Sequence, residues 1–472
     1  MIELSNVSFG YGDNAMILEN LNLKIEDGEI VLLCGESGCG KSTVLRLING
    51  LIPNYYGGEL KGRITVNGYD TQNSELYQIA EQVSSVFQNP KTQFYNIEST
   101  EEMVFSLENR GVNREEMGKR LGVTVKKLGM EGLLDRSLFE MSGGERQKVA
   151  CACADTAGTP VIVLDEPSSN LDLGSIDELA KIIAQWKKDG KTVIVAEHRL
   201  YYMIPLADRV LYMKNGKVEM ECKPEKLIAL GETTISQMGL RSAKRHDIEV
   251  KRNDGEAFEQ ESGSLHIKDF SYKYRGCKEP ALRIDDLTVP SNRIICVVGD
   301  NGAGKSTFAR TICGLDRHAK GVIEYNNKCL KRKDRLKNTF MVMQDVTRQL
   351  FTDEVSDELR SCVEEEAEDS ESRILSLLEH LNLSDKKERH PQSLSGGEKQ
   401  RVAIGSAMVS SREFIVFDEP TSGLDYKNMV RVARLLKELK KHGKTIFVIT
   451  HDPELISLCC DVFINIKDGT AV

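Results

Sequence analysis

Aromatic residues are scarce in this sequence, 6% of 472 with a single tryptophan. No apolar run approaches the roughly 18–20 residues that a membrane-spanning helix needs. Stretches such as 294–299 (IICVVG) have the length of a buried strand instead. The opening residues, MIELSNVSFGYG, show neither the basic start nor the apolar core of a secretory signal. The twelve cysteines include no Cys-x-x-Cys pair, and neither Cys151 with Cys153 nor Cys459 with Cys460 has metal-site spacing. Reduced, mostly buried thiols in a cytosolic protein are therefore expected. Basic charge is also short: 63 Lys and Arg against 72 Asp and Glu leave a formal charge of −9. That argues against broad affinity for nucleic acid, and no nucleic-acid partner is expected. What remains is a globular chain, 40% hydrophobic and 29% charged, too long for one core.

What the sequence does have, it has twice. Residues 141–150 read MSGGERQKVA, and 253 positions later residues 394–403 read LSGGEKQRVA. CGESGCGKST (34–43) returns as VGDNGAGKST (298–307), VIVLDEPSSNLD (161–172) as FIVFDEPTSGLD (414–425), and KTVIVAEH (191–198) as KTIFVITH (444–451). A near-repeat this long is a duplicated domain rather than a solenoid. The offset is 264 at Lys41 and Lys305, so the first copy carries about eleven more residues before its SGGE phrase. The expected layout is a first domain over 1–240, a polar linker over 241–263 and a second domain over 264–472. In each copy, β-branched runs lead into glycine-rich turns and amphipathic helices, the pattern of a parallel sheet covered by helices. Residues 88–141 are charged and helical in pattern, a separate helical subdomain. The acidic run in the second copy, 362–373, is most simply a solvated helix or loop.

Gly-x-x-x-x-Gly-Lys-Ser/Thr occurs in both copies after an apolar strand and before a helical pattern, the context of a phosphate-binding loop. The candidates are Gly35, Glu36, Ser37, Gly38, Cys39, Gly40, Lys41, Ser42 and Thr43, and then Gly299, Asp300, Asn301, Gly302, Ala303, Gly304, Lys305, Ser306 and Thr307. Backbone amides there close around phosphate oxygens, and the following helix N-terminus adds a favourable dipole. Lys41 and Lys305 would contact the β- and γ-phosphates, and Ser42 and Ser306 would ligate Mg²⁺. Two apolar strands end in Asp-Glu. Asp165 and Asp418 are expected to hold the metal, and Glu166 and Glu419 to polarise the attacking water.

Phosphate loop, glutamine, SGGE, Asp-Glu, Leu-Asp and histidine follow in that order, twice, over nearly the whole chain. The sequence resembles a tandem pair of ATP-binding-cassette (ABC) ATPase domains: an α/β fold of two P-loop domains, each with a largely parallel sheet, an antiparallel β part and a helical subdomain. In that family the signature of one domain caps the ATP held by the other, which explains why the phrase is needed twice. Fusion makes the pairing an intramolecular pseudo-dimer. The resemblance implies one composite site joining Lys41, Ser42, Gln88, Asp165, Glu166 and His198 to Ser395, Gly396 and Gly397. The other joins Lys305, Ser306, Gln344, Asp418, Glu419 and His451 to Ser142, Gly143 and Gly144. Gln88 and Gln344 match the glutamine that senses metal and nucleotide, and His198 and His451 the γ-phosphate histidine. Tyr11 and Tyr274 match the aromatic that stacks on adenine, although a core role is open for both.

Departures are small: Met141 opens the first signature, Gln147-Lys148 stands where the second copy has Gln400-Arg401, and His198 is followed by Arg where His451 precedes Asp. The stretch 87–111, FQNPKTQFYNIESTEEMVFSLENRG, is similar to the ATPases of energy-coupling-factor importers. That resemblance implies two membrane partners, an integral scaffold whose coupling helices enter the glutamine grooves and a separate substrate-binding subunit. It also implies a peripheral place on the cytoplasmic membrane face. Glu101, Glu102, Asp353, Glu354 and Asp357 are candidate contacts for arginines of the scaffold. A fused sugar-importer ATPase and a soluble ribosome-associated cassette protein are the alternatives.

Overall fold

The computed structural model describes residues 1–12, 16–246, 263–277, 279–363 and 370–471, and in it the apolar runs become the middle strands of two largely parallel sheets. Strand Ile30–Gly35, buried throughout, lies between parallel strands Thr192–Ala196 and Arg209–Lys214. Val161–Asp165 and Val83–Val86 extend the sheet on one side and antiparallel Lys217–Cys222 closes the other. Ile30, Leu32 and Cys34 face a core that holds Trp186 and the helix Leu173–Lys188, while Val31 and Leu33 face one that holds the helix Lys41–Ile48. With both faces covered, polar residues have no place on the strand, hence its unbroken apolar sequence.

A second sheet in this half is antiparallel, in the order Leu18–Ile25, Ile2–Gly10, Glu59–Val66, Tyr69–Asp70. In the other half the two kinds of sheet are continuous. Strand Ile294–Val298 sits between Val462–Lys467 and Thr445–Ile449, followed by Phe414–Asp418 and Thr339–Val342. The short strand Thr470–Ala471 pairs with Lys467 on that side and with Arg283 of Leu282–Val289 on the other, joining the antiparallel strands to it.

The expected helical subdomain contains Ser99–Asn109 and Arg114–Leu128 in the first half, and Val355–Arg360 and Ser370–His380 in the second. In the first half it is tied to the sheet layer through Asp155, a buried residue of helix Gly143–Thr156. Its carboxylate accepts from Thr124 Oγ1 at 2.7 Å, Lys127 Nζ at 2.6 Å and Trp186 Nε1 at 3.0 Å. The described residues divide into two units, Met1–Arg245 with Gly423–Lys427, and His246–Ser422 with Asn428–Val472. Most of the expected linker (247–262) and part of the acidic run (364–369) lie outside the described residues. No helix among the described residues is long and apolar enough to cross a membrane, and none of the cysteines, most of them buried, is in a disulfide.

Candidate functional site

Each phosphate loop turns from the end of a central strand into a helix, and the first glycine makes the turn possible. A Cβ on Gly35 would fall 2.3 Å from the Met213 carbonyl oxygen, and one on Gly299 would fall 2.0 Å from that of Ile466. Both glycines have positive φ (152° and 146°), so only glycine fits. Lys41 Nζ folds back to donate to the carbonyls of Gly35 (2.9 Å) and Glu36 (3.1 Å). Lys305 Nζ does the same to Gly299 (2.9 Å) and Asp300 (2.7 Å). The ammonium thus braces the backbone of its own loop in both halves.

Beside each lysine a serine and an aspartate meet. Ser42 Oγ donates to Asp165 Oδ1 at 2.9 Å, and Ser306 Oγ to Asp418 Oδ2 at 3.1 Å. Burial, followed by the charge of Glu166, pushes the Asp165 carboxyl up to about 6, and burial pushes Asp418 up as well. Hydroxyl and carboxylate oxygens are hard donors, and a carboxylate held against its own solvation gains from a cation. The donor sets therefore fit Mg²⁺.

The following glutamate is held in a costly backbone conformation. Glu166 and Glu419 have φ of 45° and 49°, and their amides donate to the neighbouring strand ends at Ala196 O (2.8 Å) and Ile449 O (2.9 Å). A non-glycine residue there is strained and has to be secured by its surroundings. The Glu166 carboxylate is gripped from both sides, by Gln88 Nε2 at 2.7 Å and His198 Nε2 at 3.1 Å. Burial alone would raise it, but the charge and hydrogen bond of His198, with Lys41, hold it below the usual range. In the second half His451 Nε2 lies 3.7 Å from Glu419 Oε1, a looser approach.

The departure after the first histidine has a structural counterpart. Glu197, buried just before His198, accepts from the amides of His198 (2.7 Å), Arg199 (3.1 Å) and Ser168 (3.3 Å) and from Tyr202 Oη (2.7 Å). In the second half the buried carboxylate follows the histidine. Asp452 accepts from Thr421 Oγ1 at 2.8 Å and from the amides of Glu454 and Leu455. A buried carboxylate thus precedes the histidine in one half and follows it in the other.

Gln88 and Gln344 open loops that close on a second glutamine, which residue patterns alone did not single out as functional. Gln93 accepts from the Phe87 amide (3.2 Å) and donates to Ser85 O (3.0 Å). Gln349 accepts from the Met343 amide (3.1 Å) and donates to Met341 O (3.1 Å). Glu102, a candidate contact for scaffold arginines, is turned inward instead. It is 6% exposed, and its Oε2 accepts from the amides of Tyr95 (3.0 Å) and Asn96 (2.7 Å). Its counterpart is not one of the named acids but Glu358, 3% exposed, which accepts from the Phe351 and Thr352 amides, both at 3.1 Å. Glu101 keeps an exposed position. Beyond each clip an aromatic ring stands in solvent, Tyr95 81% exposed and Phe351 79%.

Ser142 and Ser395 cap the signature helices Gly143–Thr156 and Gly396–Val409. The glutamate of SGGE completes each capping box, with the Ser142 amide donating to Glu145 (2.8 Å) and the Ser395 amide to Glu398 (2.9 Å). Gly144 has a packing reason too, since a Cβ there would meet Ser175 Oγ at 2.3 Å. Tyr11 and Tyr274 sit against the first turn of their loop helices, with Tyr11 Oη 3.5 Å from Thr43 Oγ1 and Tyr274 Oη 3.0 Å from Thr307 Oγ1.

Known proteins are similar to this chain. The family described as ABC transporter matches residues 18–169 and 282–422. A Treponema denticola protein, provisionally named as an ABC transporter ATP-binding protein, is 41% identical over 476 residues, covering 100% of this chain and 96% of that protein. A second protein of that organism with the same name is 36% identical over 476 residues, covering 99% of this chain and 96% of its own length. Among solved structures, RNase-L Inhibitor matches 99% of this chain and 90% of its own with a TM-score of 0.65. At 23% identity that is a likeness of fold alone.

Proposed function

The chain belongs to the ABC transporter family, and on that premise we propose that it is the two-cassette motor of a membrane importer of the energy-coupling-factor type. It is an ATPase with two nucleotide-binding regions. Each phosphate loop would hold its ATP by amides and lysine, with Ser42 and Asp165, or Ser306 and Asp418, ligating Mg²⁺. Bound there, the ion would neutralise charge on the terminal phosphates. Glu166 and Glu419 would accept a proton from the attacking water, held in place by His198 and Gln88 in the first half and by His451 and Gln344 in the second. Ser395, Gly396 and Gly397 would complete the first site from the other cassette, and Ser142, Gly143 and Gly144 the second. ATP would then draw the cassettes together and hydrolysis release them.

The observation that carries the importer reading is the arrangement after each glutamine. A buried glutamate, Glu102 or Glu358, fixes a loop that presents Tyr95 or Phe351 to solvent. An aromatic ring exposed two residues beyond the clipping glutamine in both halves is the kind of side chain that anchors a partner. The partner would be the scaffold subunit, with a separate membrane protein choosing the cargo, and the motor would lie on the cytoplasmic face. The test is recovery of the tagged chain from its native membranes in mild detergent. A multi-span scaffold and a small integral membrane protein should come with it, and should be lost at least tenfold when Tyr95→Asp and Phe351→Asp are combined. Recovery on ribosomes, or alone with full ATPase activity, would remove the importer role and leave the ATPase.

A further inference from the structure

Between helix Lys41–Ile48 and strand Glu59–Val66, residues 50–58 read GLIPNYYGG, and the segment is pinned rather than loose. Asn54 Nδ2 donates to Gly50 O at 2.9 Å, and the amides of Tyr55 and Tyr56 to Leu51 O at 2.8 and 2.9 Å. Gly58 lies so close to the strand ending at Gly10 that a Cβ would meet the Gly10 oxygen at 2.3 Å and the Phe9 ring at 2.7 Å. The segment thus comes back onto the strand that leads to Tyr11. Four rings gather there edge to face, with centroids 4.7 Å apart for Phe9 and Tyr11, 6.4 Å for Tyr11 and Tyr56, and 5.0 Å for Tyr56 and Tyr55.

Arg46 connects this cluster to the phosphate loop. Its Nη1 donates to Tyr11 Oη at 3.0 Å, and its guanidinium lies 4.4 Å over the Tyr56 ring. Thr43 and Arg46 are three residues apart and share a helix face. One helix therefore touches the phosphate side with Lys41 and the tyrosine side with Thr43 and Arg46. In the second half Arg310 stands at the corresponding position but pairs with Asp316 at 2.9 Å. The ring neighbour of Tyr274 is Tyr272, at 5.0 Å, and residues 314–320 contain no aromatic.

We propose that Arg46, Tyr55 and Tyr56 extend the base-side wall of the first phosphate-loop site, so that it grips a purine nucleoside triphosphate by its base more firmly than the second site does. The inference rests on the reading of Tyr11 as the ring that stacks on the base. Arg46 and Tyr56 act through Tyr11 as positioning residues. A charge-assisted hydrogen bond to the phenol and a cation held over the neighbouring ring fix the stacking plane before the ligand arrives, which lowers the ordering cost of binding. Tyr55, 75% exposed and edge-on to Tyr56, offers further apolar surface beside it.

The experiment uses the full chain with Lys305→Ala, so that calorimetry reports the first site, and two probes, ATP and tripolyphosphate, which has the phosphates but no base. Arg46→Gln and Tyr56→Leu should each weaken ATP about tenfold and leave tripolyphosphate within about twofold, while Tyr56→Phe keeps the ring and the affinity. In the chain with Lys41→Ala, the second site should prefer ATP over tripolyphosphate less strongly and ignore Tyr56→Leu. Tyr11→Leu separates the possible failures. If it leaves ATP binding untouched, the base does not lie there, and both the site reading and this inference fall. If it weakens ATP while Arg46→Gln and Tyr56→Leu do not, this inference alone falls. Equal losses of ATP and tripolyphosphate would reduce the cluster to a prop for the loop and overturn the proposal.

Discussion

The two halves agree at the glycine-rich loop and the strand-end acids and differ around them. Lysine braces two carbonyls of its own loop in both, serine meets aspartate at 2.9 and 3.1 Å, and the glutamate that follows is held at φ 45° and 49°. Around that centre the solutions diverge. Histidine lies 3.1 Å from its glutamate in one half and 3.7 Å in the other, and the buried carboxylate beside it precedes it as Glu197, which accepts its amide, or follows it as Asp452, which holds the Thr421 hydroxyl. The sheets are separate in one half and joined through Thr470 in the other. The lesson concerns tolerance. A buried carboxylate needs only nearby donors and can be supplied from several places, whereas the serine–aspartate contact and the left-handed glutamate recur in both halves.

The sharpest way to break the comparison is to disable the glutamates one at a time. Glu166→Gln with Glu419→Gln should lower phosphate release by about 10²–10⁴-fold, the range for loss of a general base, with ATP binding retained. The single variants then show whether the halves are equivalent. Independent, equal sites would each leave about half the rate. Obligatorily paired sites would make either single variant nearly as slow as the double. A double variant that turns over at near the normal rate would strip both residues of the assigned role.

A stability difference comes next. Asp155 joins the helical subdomain to the sheet layer in the first half, and Met408 occupies the equivalent position in the second. Asp155→Ala leaves the Thr124 hydroxyl and the Trp186 indole without their acceptor, while Lys127 keeps Asp189 at 2.8 Å, and should cost about 1–3 kcal/mol. In calorimetry the transition of the first half should move down by several degrees while that of the second stays in place. A uniform shift of both transitions would show that the halves unfold as one and that Asp155 supports the whole chain.

How much of this was legible in the sequence follows from how local each feature is. The phosphate loops, the strands ending in Asp-Glu and the capped SGGE helices are contiguous patterns, and their chemistry can be reasoned from spacing alone. Glu102 was harder, because beside Glu101 it looks like one more surface acid. The helix phase decides: Ser99, Glu102, Met103 and Leu107 form the buried stripe of Ser99–Asn109, an i, i+3, i+4 pattern that contains a carboxylate. The Gln93 and Gln349 clips depend on a loop closing on itself, and the pairing of Arg46 with Tyr56 depends on a segment folding back onto the first strand. Neither geometry is written in any short run of residues. Glu197 was hidden for another reason, since its equivalence to Asp452 appears only once the two histidines are compared in space.

The smallest expected effect separates the two metal-side aspartates. Asp165 is pushed up to about 6 by burial and by Glu166, while burial alone raises Asp418 without Glu419 among the causes. An acid whose folded value lies above its unfolded one binds more protons folded than unfolded between the two values. Stability is therefore full below about pH 4, falls as pH rises towards about 6, and is flat above. Asp165→Asn removes the charge that the fold resists, so without nucleotide it should be more stable than the natural chain at pH 7. The gain should be on the order of 1–2 kcal/mol once the partial exposure of the carboxylate is counted. It should vanish below pH 4, where the natural side chain is already neutral. Asp418→Asn should gain in the same direction but less, as burial also raises that carboxyl, and both variants should lose ATPase activity with the metal ligand. Melting temperatures across pH 3.5–7.5 read both windows directly. A destabilised Asp165→Asn at pH 7 would mean that its hydrogen bond to Ser42, rather than its charge, dominates the energy of the empty site.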